Sequence, residues 1–207
     1  MSGPSYSADW TDGDVHALVA LCKRVEAAPL DLLACMFNES EARAGAHNPH
    51  GDATGLIQFM PATRAGLGHH GTWQEFAALG VGGQLPYVER YFAPHRGRLT
   101  SAARVYLCMF LPACLGWRDL GDLTIITSLH GPLAWAYLPN RSLDGDDKGY
   151  ITLGDLGRCA MRAAKGKRWD ELAGRVQAAM REEDGPRCET APGNDDGDEP
   201  PHGPEAA

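Results

Sequence analysis

The chain has 207 residues, of which 43% are hydrophobic and 22% are charged, a balance typical of a globular protein with a buried core. No apolar run approaches the roughly 18 residues that a membrane-spanning helix needs, and the net charge of −8 argues against a nucleic-acid-binding surface. Because residues 1–181 carry 18 acidic and 18 basic side chains, the excess negative charge belongs entirely to residues 182–207.

The composition predicts one domain between two unstructured ends. Residues 1–9 are predicted to be a flexible N-terminus, and residues 10–181 a single domain. Residues 182–207 are rich in proline and acidic side chains and contain no aromatic residue, so we expect a disordered tail. The first ten residues lack both the basic and the apolar stretch of a secretory signal, which predicts synthesis in the cytoplasm without Sec export.

Capping residues and apolar spacing indicate a mainly α fold. Thr11 and Asp14 form a variant capping box for a first helix, and Pro29 suits the first turn of a second helix that ends near residues 38–40. Thr72 begins another capping box, and Thr100 is predicted to cap a helix over 103–110. Further helices are predicted over 87–92 and 165–180, with glycine-rich connections at 65–71 and 80–83 and a short strand-like alternation at 123–128.

The chemistry-bearing residues concentrate after the second helix. Glu39 ends an apolar helix and is followed by a polar loop over 41–54. A glutamate packed against apolar groups loses hydration of its charged form, so its pKa rises and it can serve as a proton donor. Such an acid contributes on the order of 10² to 10⁴ in rate, so glycoside cleavage also needs sugar binding and distortion. By residue type alone, a solvated surface carboxylate is the commoner interpretation.

A motif around Glu39 resembles the signature of the lysozyme-like lytic transglycosylases, the SLT-domain family. Asn38-Glu39-Ser40 is followed, nineteen residues after Glu39, by Gln58 within Gly55-Leu-Ile-Gln-Phe-Met-Pro-Ala-Thr63. The family reads Glu-Ser, a loop, and then Gly-Leu-Met-Gln-x-Met-Pro-x-Thr. The matching positions are Glu39, Ser40, Gly55, Leu56, Gln58, Met60, Pro61 and Thr63. Beyond this stretch the likeness thins, although residues 84–91 and 101–111 resemble later helices of phage-type members.

The resemblance implies a lysozyme-like helical fold and cleavage of peptidoglycan. Glu39 would protonate the β-1,4 oxygen between N-acetylmuramic acid and N-acetylglucosamine, and would then act as a base on the 6-hydroxyl to give a 1,6-anhydro end. The family needs no second protein carboxylate, because the substrate's acetamido group stabilises the positive centre. The resemblance implies substrate-binding roles for Ser40, Gln58, Met60, Tyr106 and Tyr137, and Asn140 resembles a further groove residue.

Two departures from the family pattern concern the tyrosine and the charge. The family usually reads Ala-Tyr-Asn-Ala-Gly, whereas this chain has Val105-Tyr-Leu-Cys-Met109 around Tyr106. Wall-degrading lysozymes are often basic, whereas residues 1–181 are neutral, so attraction to an anionic wall would have to be local.

Two other functions stay open at this point. One is a goose-type lysozyme that hydrolyses the same bond with a positioned water, and the other is a non-catalytic wall-binding or particle-structural module with the same fold. In each case the expected partners are peptidoglycan glycan strands rather than nucleic acid or a membrane. We expect a monomer, delivered to the cell wall or periplasm by a phage or injection particle.

We expect no metal and no cofactor. His47 and His50 with Asp52 could be imagined as metal ligands, but two loop histidines with no further partner are more typical of solvent-facing or substrate-contacting groups. Asp52 could also be the second carboxylate of a hydrolase, which spacing does not decide. The six cysteines include no close C-x-x-C pair and are expected to be reduced thiols, mostly in the core.

Residues 144–155 overlay a calcium-binding loop in part. Acidic residues occupy positions 1, 3 and 12 and Gly149 occupies position 6, but Lys148 stands at position 5, where an oxygen ligand is needed. We therefore expect a structural turn in which Thr152 and Asp155 cap the following helix.

Overall fold

The computed structural model describes residues 7–117 and 120–185. Its helices are α1 (Asp12–Val25), α2 (Pro29–Ser40), α3 (Pro61–Gly66), α4 (Trp73–Ala78), α5 (Gly80–Phe92), α6 (Ala102–Phe110), α7 (Ala134–Tyr137), α8 (Leu153–Arg162) and α9 (Lys167–Asp184). Two antiparallel two-stranded sheets pair β1 (His47–Asn48) with β2 (Ala53–Thr54), and β3 (Ile125–Ser128) with β4 (Tyr150–Thr152). Short 3₁₀ helices cover Ala93–His95, Pro112–Gly116 and Leu138–Leu143. The predicted mainly α class is confirmed.

Helix α2 lies at the centre of the fold. Every side chain from residue 32 to residue 37 is buried, which is the pattern of a helix covered on all sides. It packs against α1, α6, α8 and α9. In the last turn of α2, Asn38 and Glu39 are partly exposed while Ser40 is buried, so the helix carries the Glu39 side chain from the apolar interior to the edge of the core.

Helices α6 and α8 approach each other closely beside α2. A Cβ added at Gly157 on α8 would lie 3.1 Å from the Cβ of Ala103 on α6, so two small residues form the crossing point. This contact places Tyr106 and Cys159, each a short distance along its helix from the crossing, near the end of α2.

Several predicted boundaries differ from the structure. Helix α5 begins at Gly80, so the predicted glycine-rich connection over 80–83 is helical. Gly82 faces α1 at a point where a Cβ would lie 2.6 Å from the Asp14 carboxylate, so the missing side chain allows the two helices to pack. Ser101, rather than Thr100, caps α6 through a hydrogen bond to the Arg104 N–H.

The two chain ends also differ from their predicted boundaries. Ser7, predicted to lie in a flexible N-terminus, is fully buried and its hydroxyl donates to Glu171 at 2.7 Å. Asp9 pairs with Arg168 on α9 at 2.8 Å. Helix α9 extends to Asp184, and the predicted disordered tail otherwise lies outside the described residues. Within the described part of the chain, no helix is both long and apolar enough to cross a membrane.

Candidate functional site

The loop after α2 is held in place by Gln84 on α5. This fully buried side chain accepts from the Leu56 N–H at 3.0 Å and donates to the carbonyls of Ala44 and Phe76 at 2.8 and 3.0 Å. Gly55 has a φ of +86°, and the Gln84 amide and the Phe76 ring fill the space where a Cβ would stand. A glycine is therefore required at position 55 by both its conformation and its neighbours.

Ser40 joins the end of α2 to the same loop. Its buried hydroxyl lies 3.0 Å from the Met36 carbonyl and 2.8 Å from the Leu56 carbonyl. The hydroxyl is thus used to position the backbone, and Ser40 does not line the cavity described below. Its predicted contact with substrate has no counterpart in this geometry.

An open cavity of about 550 Å³ runs beside Glu39. One part of its lining comes from the segment between β2 and α3 and includes Gln58 and Met60, and another part comes from α7 and the 3₁₀ segment that follows it. The full lining is Glu39, Asn48, Ala53, Ile57, Gln58, Met60, Tyr106, Met109, Phe110, Leu111, Trp135, Ala136, Pro139 and Asn140. Among these described lining residues, Glu39 is the only carboxylate. The volume is in the range typical of small-molecule sites.

The surroundings of Glu39 favour its protonated form. Burial raises the pKa of this carboxyl, while hydrogen bonds with Tyr106 and Asn38 oppose the rise. The Asn38 amide nitrogen donates to Glu39 Oε1 at 3.3 Å and to the Tyr106 hydroxyl oxygen at 3.1 Å. Burial, followed by the Glu39 charge, raises the pKa of Tyr106 as well, so the phenol stays protonated and can donate to the carboxylate.

The structure brings most of the predicted site residues together. Gln58 and Met60 line the cavity with Glu39, and Met60 is 50% exposed. The Gln58 amide nitrogen donates to the backbone carbonyls of Ala46 and Gly55 at 3.3 and 3.1 Å, so this side chain also stabilises the loop. Tyr106 forms part of the cavity floor next to Glu39.

Tyr137 lies outside the cavity. It is 2% exposed, and its hydroxyl donates to Asp144 at 3.0 Å, which matches a buried aromatic residue beside a turn. Trp135, two residues earlier on α7, lines the cavity instead and is 67% exposed. Residues two apart on a helix face different directions, so the motif-based choice of Tyr137 missed the aromatic side chain that faces the cavity. Trp135 and Tyr137 are both aromatic and only two positions apart, so the sequence pattern offered no signal that separates them.

Three further residues were missed by the sequence analysis. Met109 and Phe110, at the end of α6, line the cavity where the family pattern has a different sequence. Asn38 contacts both Glu39 and Tyr106 directly. Its position immediately before the motif glutamate was visible, but the direction of its side chain depends on the packing of α6 and α8 against α2.

Asp52 does not line the cavity, and its side chain is 60% exposed. It lies 3.7 Å from His47 Nε2, while His47 Nδ1 is 3.2 Å from the Thr54 hydroxyl. The His47 ring stacks on Trp73 with centroids 3.8 Å apart. These contacts are within the β1–β2 hairpin and with Trp73, so they account for His47 and Asp52 as structural residues of the hairpin. No group of three or more metal-ligating side chains was found among the described residues.

The calcium-like turn holds a lysine ammonium among its carboxylates. Lys148 Nζ lies 3.0 Å from Asp144 and 3.0 Å from Asp155, whose side chains are almost completely buried. Burial alone would raise the pKa of Asp144, but hydrogen bonds from Lys148, Tyr137 and the Gly149 N–H hold it well below its usual range. The capping box between Thr152 and Asp155 is present as predicted.

The described cysteines are free thiols, and all five are buried, as expected for core residues.

Comparisons with models of protein families, with curated proteins and with solved structures find no match for this chain.

Proposed function

We propose that this protein is a peptidoglycan lytic transglycosylase that uses Glu39 as its general acid and base. The observation that carries the proposal is a single carboxyl group, partly buried and with a raised pKa, on the wall of an open cavity of about 550 Å³. The choice of substrate rests on the resemblance of residues 38–63 to the lytic transglycosylase motif.

In the first step, the protonated Glu39 donates its proton to the glycosidic oxygen as the bond to the muramoyl carbon breaks. Positive charge develops on the sugar ring, and the acetamido group of the substrate stabilises it. The resulting carboxylate accepts hydrogen bonds from Asn38 and Tyr106. In the second step Glu39 removes the proton of the 6-hydroxyl, whose oxygen closes the 1,6-anhydro ring. Glu39 thus returns to its starting form.

The lack of a second carboxylate in the described lining favours this route over two-carboxylate chemistry. Inverting and retaining glycosidases usually need a pair of carboxyl groups about 5 to 9.5 Å apart across the scissile bond. A substrate that supplies its own acetamido group removes this requirement.

The exposed side chains of the walls suit a sugar chain. Trp135 offers an aromatic face that an apolar sugar face can cover, and Met60 offers a second apolar contact. The amides of Asn48 and Asn140 supply polar groups along the same cavity.

The test is digestion of purified bacterial sacculi with the full chain, followed by mass spectrometry of the released fragments. We expect 1,6-anhydro ends, which are one water molecule lighter than reducing ends. Reducing ends alone would contradict the transglycosylase and identify a hydrolase.

The matched variant is Glu39→Gln, which keeps the size of the side chain and removes its acid. We expect it to bind sacculi while its cleavage rate falls by about 10²- to 10⁴-fold. Unchanged cleavage would overturn the role of Glu39, and binding without cleavage by the native chain would indicate a wall-binding module.

A further inference from the structure

We propose that Asn38 is a positioning residue for the Glu39 carboxyl group and that Cys159, on α8, holds the Asn38 amide in the orientation this role requires. The inference rests on the proposed function, since it assigns a purpose to groups around the proposed acid.

The Asn38 amide connects the acid to the helix behind it. Its nitrogen lies 3.3 Å from Glu39 Oε1 and 3.1 Å from the Tyr106 hydroxyl oxygen. Its oxygen lies 3.6 Å from Cys159 Sγ. One side chain therefore presents its donor end to the acid and its acceptor end to α8.

The thiol selects this orientation over the reversed one. A thiol hydrogen is a weak donor, and the Asn38 oxygen at 3.6 Å is the nearer of its two acceptors, the other being the Tyr106 hydroxyl at 4.0 Å. Arg162 Nη2 donates to the same sulfur at 3.7 Å, so the remaining acceptor capacity of the sulfur is used by another group. Reversing the amide would place its oxygen against the Glu39 oxygen and its nitrogen against the thiol, which loses both contacts.

The orientation matters because Glu39 changes charge during the proposed reaction. After the first step the carboxylate needs donors, and the Asn38 nitrogen is one of them. The other titratable or charged groups around the acid are Tyr106 from α6, Cys159 from α8 and Cys35 from α2. The Glu39 charge contributes to the raised pKa of Cys35, after burial and the charge of Asp31. Arg162 contacts Cys159, which in turn contacts Asn38.

The direct test is a ¹³C NMR titration of the Glu39 side-chain carboxyl in the full chain, which needs no catalytic activity. Asn38→Asp replaces the donor with a like charge and should raise the Glu39 pKa by about one unit or more. Asn48→Asp is the matched control, because it adds the same charge at another residue of the cavity that Glu39 lines, while its oxygen still accepts from the His50 N–H. We expect a clearly smaller shift in that control.

Three further variants test the role of each group separately. Asn38→Ala should raise the Glu39 pKa by removing a donor to the carboxylate, and Cys159→Ala should raise it by freeing the amide to reverse. Cys159→Ser retains a donor and should stay closer to the native value than Cys159→Ala. Thermal unfolding of each variant confirms that the compared proteins are folded.

The pH profile of sacculus cleavage supplies the functional readout. The high-pH limit of the rate should move upward in Asn38→Asp and Asn38→Ala along with the Glu39 pKa. A Glu39 titration that is the same in the native chain and in all Asn38 variants would overturn the inference, even if Glu39→Gln abolishes cleavage. A shifted titration in a protein that cleaves no sacculi would support the positioning role and contradict the proposed function.

Discussion

The side-chain oxygen of Gln84 accepts a hydrogen bond from the backbone N–H of Leu56 at 3.0 Å, across 28 residues of sequence. This contact joins α5 to the loop that carries Gln58 and Met60, and so it fixes one wall of the cavity relative to the core. The neighbouring Gly55 allows the contact, because a side chain there would occupy the space of the Gln84 amide.

Gly55→Ala should therefore weaken both folding and cleavage. The added Cβ meets Gln84 and the Phe76 ring at a φ of +86°, and we expect the free energy of unfolding to fall by about 1 to 3 kcal/mol. Denaturant unfolding measures this change.

Gly51→Ala is the matched control in the same loop, since a Cβ at Gly51 has no described atom within 4 Å and its φ is not in the left-handed region. Its effect should stay within about 0.5 kcal/mol. Equal losses in the two variants would contradict the role given to the Gln84 contact.

Glu39→Gln should make the folded protein more stable at neutral pH while removing cleavage. Burial raises the pKa of Glu39 in the folded state, so this group contributes stability below its unfolded pKa and loses that contribution as the pH rises through the raised value. The unfolding free energies of the native chain and of Glu39→Gln should therefore coincide in acid. As the pH approaches neutrality, that of the native chain should fall below that of the variant. Glu41→Gln, at an exposed position two residues along the chain, is the control for removing one carboxylate from the surface.

The cleavage rate should depend on the same proton. Because the first step needs protonated Glu39, the rate should fall as the pH rises through the raised pKa of this group. Initial rates of sacculus clearing at constant ionic strength measure the profile. A rate that keeps rising through this range would show that the protonated carboxyl is not the acid.

Trp135→Ala should weaken the binding of glycan strands with little effect on folding. The side chain is 67% exposed on the cavity wall, so its removal takes little from the core but loses about half of the apolar area of a tryptophan as a contact for sugar. We expect the dissociation constant for soluble glycan fragments to rise about tenfold, measured by calorimetry.

Trp117→Ala is the control for Trp135, since Trp117 is 43% exposed and lies outside the described cavity lining. The same affinity loss in both variants would indicate a general effect of removing a surface tryptophan rather than a site on α7.

Lys148→Gln should strongly destabilise the turn before α8. The variant leaves the carboxylates of Asp144 and Asp155 buried without their ammonium partner, and we expect a loss of about 3 kcal/mol in the free energy of unfolding. Arg141→Gln removes an exposed, solvent-screened ion pair with Asp147 and should have a much smaller effect on stability. If calcium raised the unfolding temperature of the native chain, the assignment of Lys148 as the cation of this turn would be contradicted.

Local sequence rules predicted the features that depend on neighbouring residues. The capping boxes that begin at Thr11, Thr72 and Thr152 are present, and Pro29 starts α2 as expected. Each of these depends on hydrogen bonds or steric limits within about one helical turn, so a short window of sequence contains the required information. The start of α5 was missed because glycines favour loops locally, whereas the packing of Gly82 against Asp14 on α1 is a contact between distant parts of the chain.

The amino-acid sequence by itself determined that the chain is mainly helical and that Glu39 lies at the end of an apolar helix, because spacing and capping are properties of adjacent residues. Only the tertiary structure decided that Trp135 faces the cavity while Tyr137 is buried, and that Asn38 lies between the acid and Cys159. These relationships join α2, α7 and α8, which are far apart in the chain. Their geometry depends on how the helices pack, and no local pattern encodes the direction in which a side chain meets a distant helix.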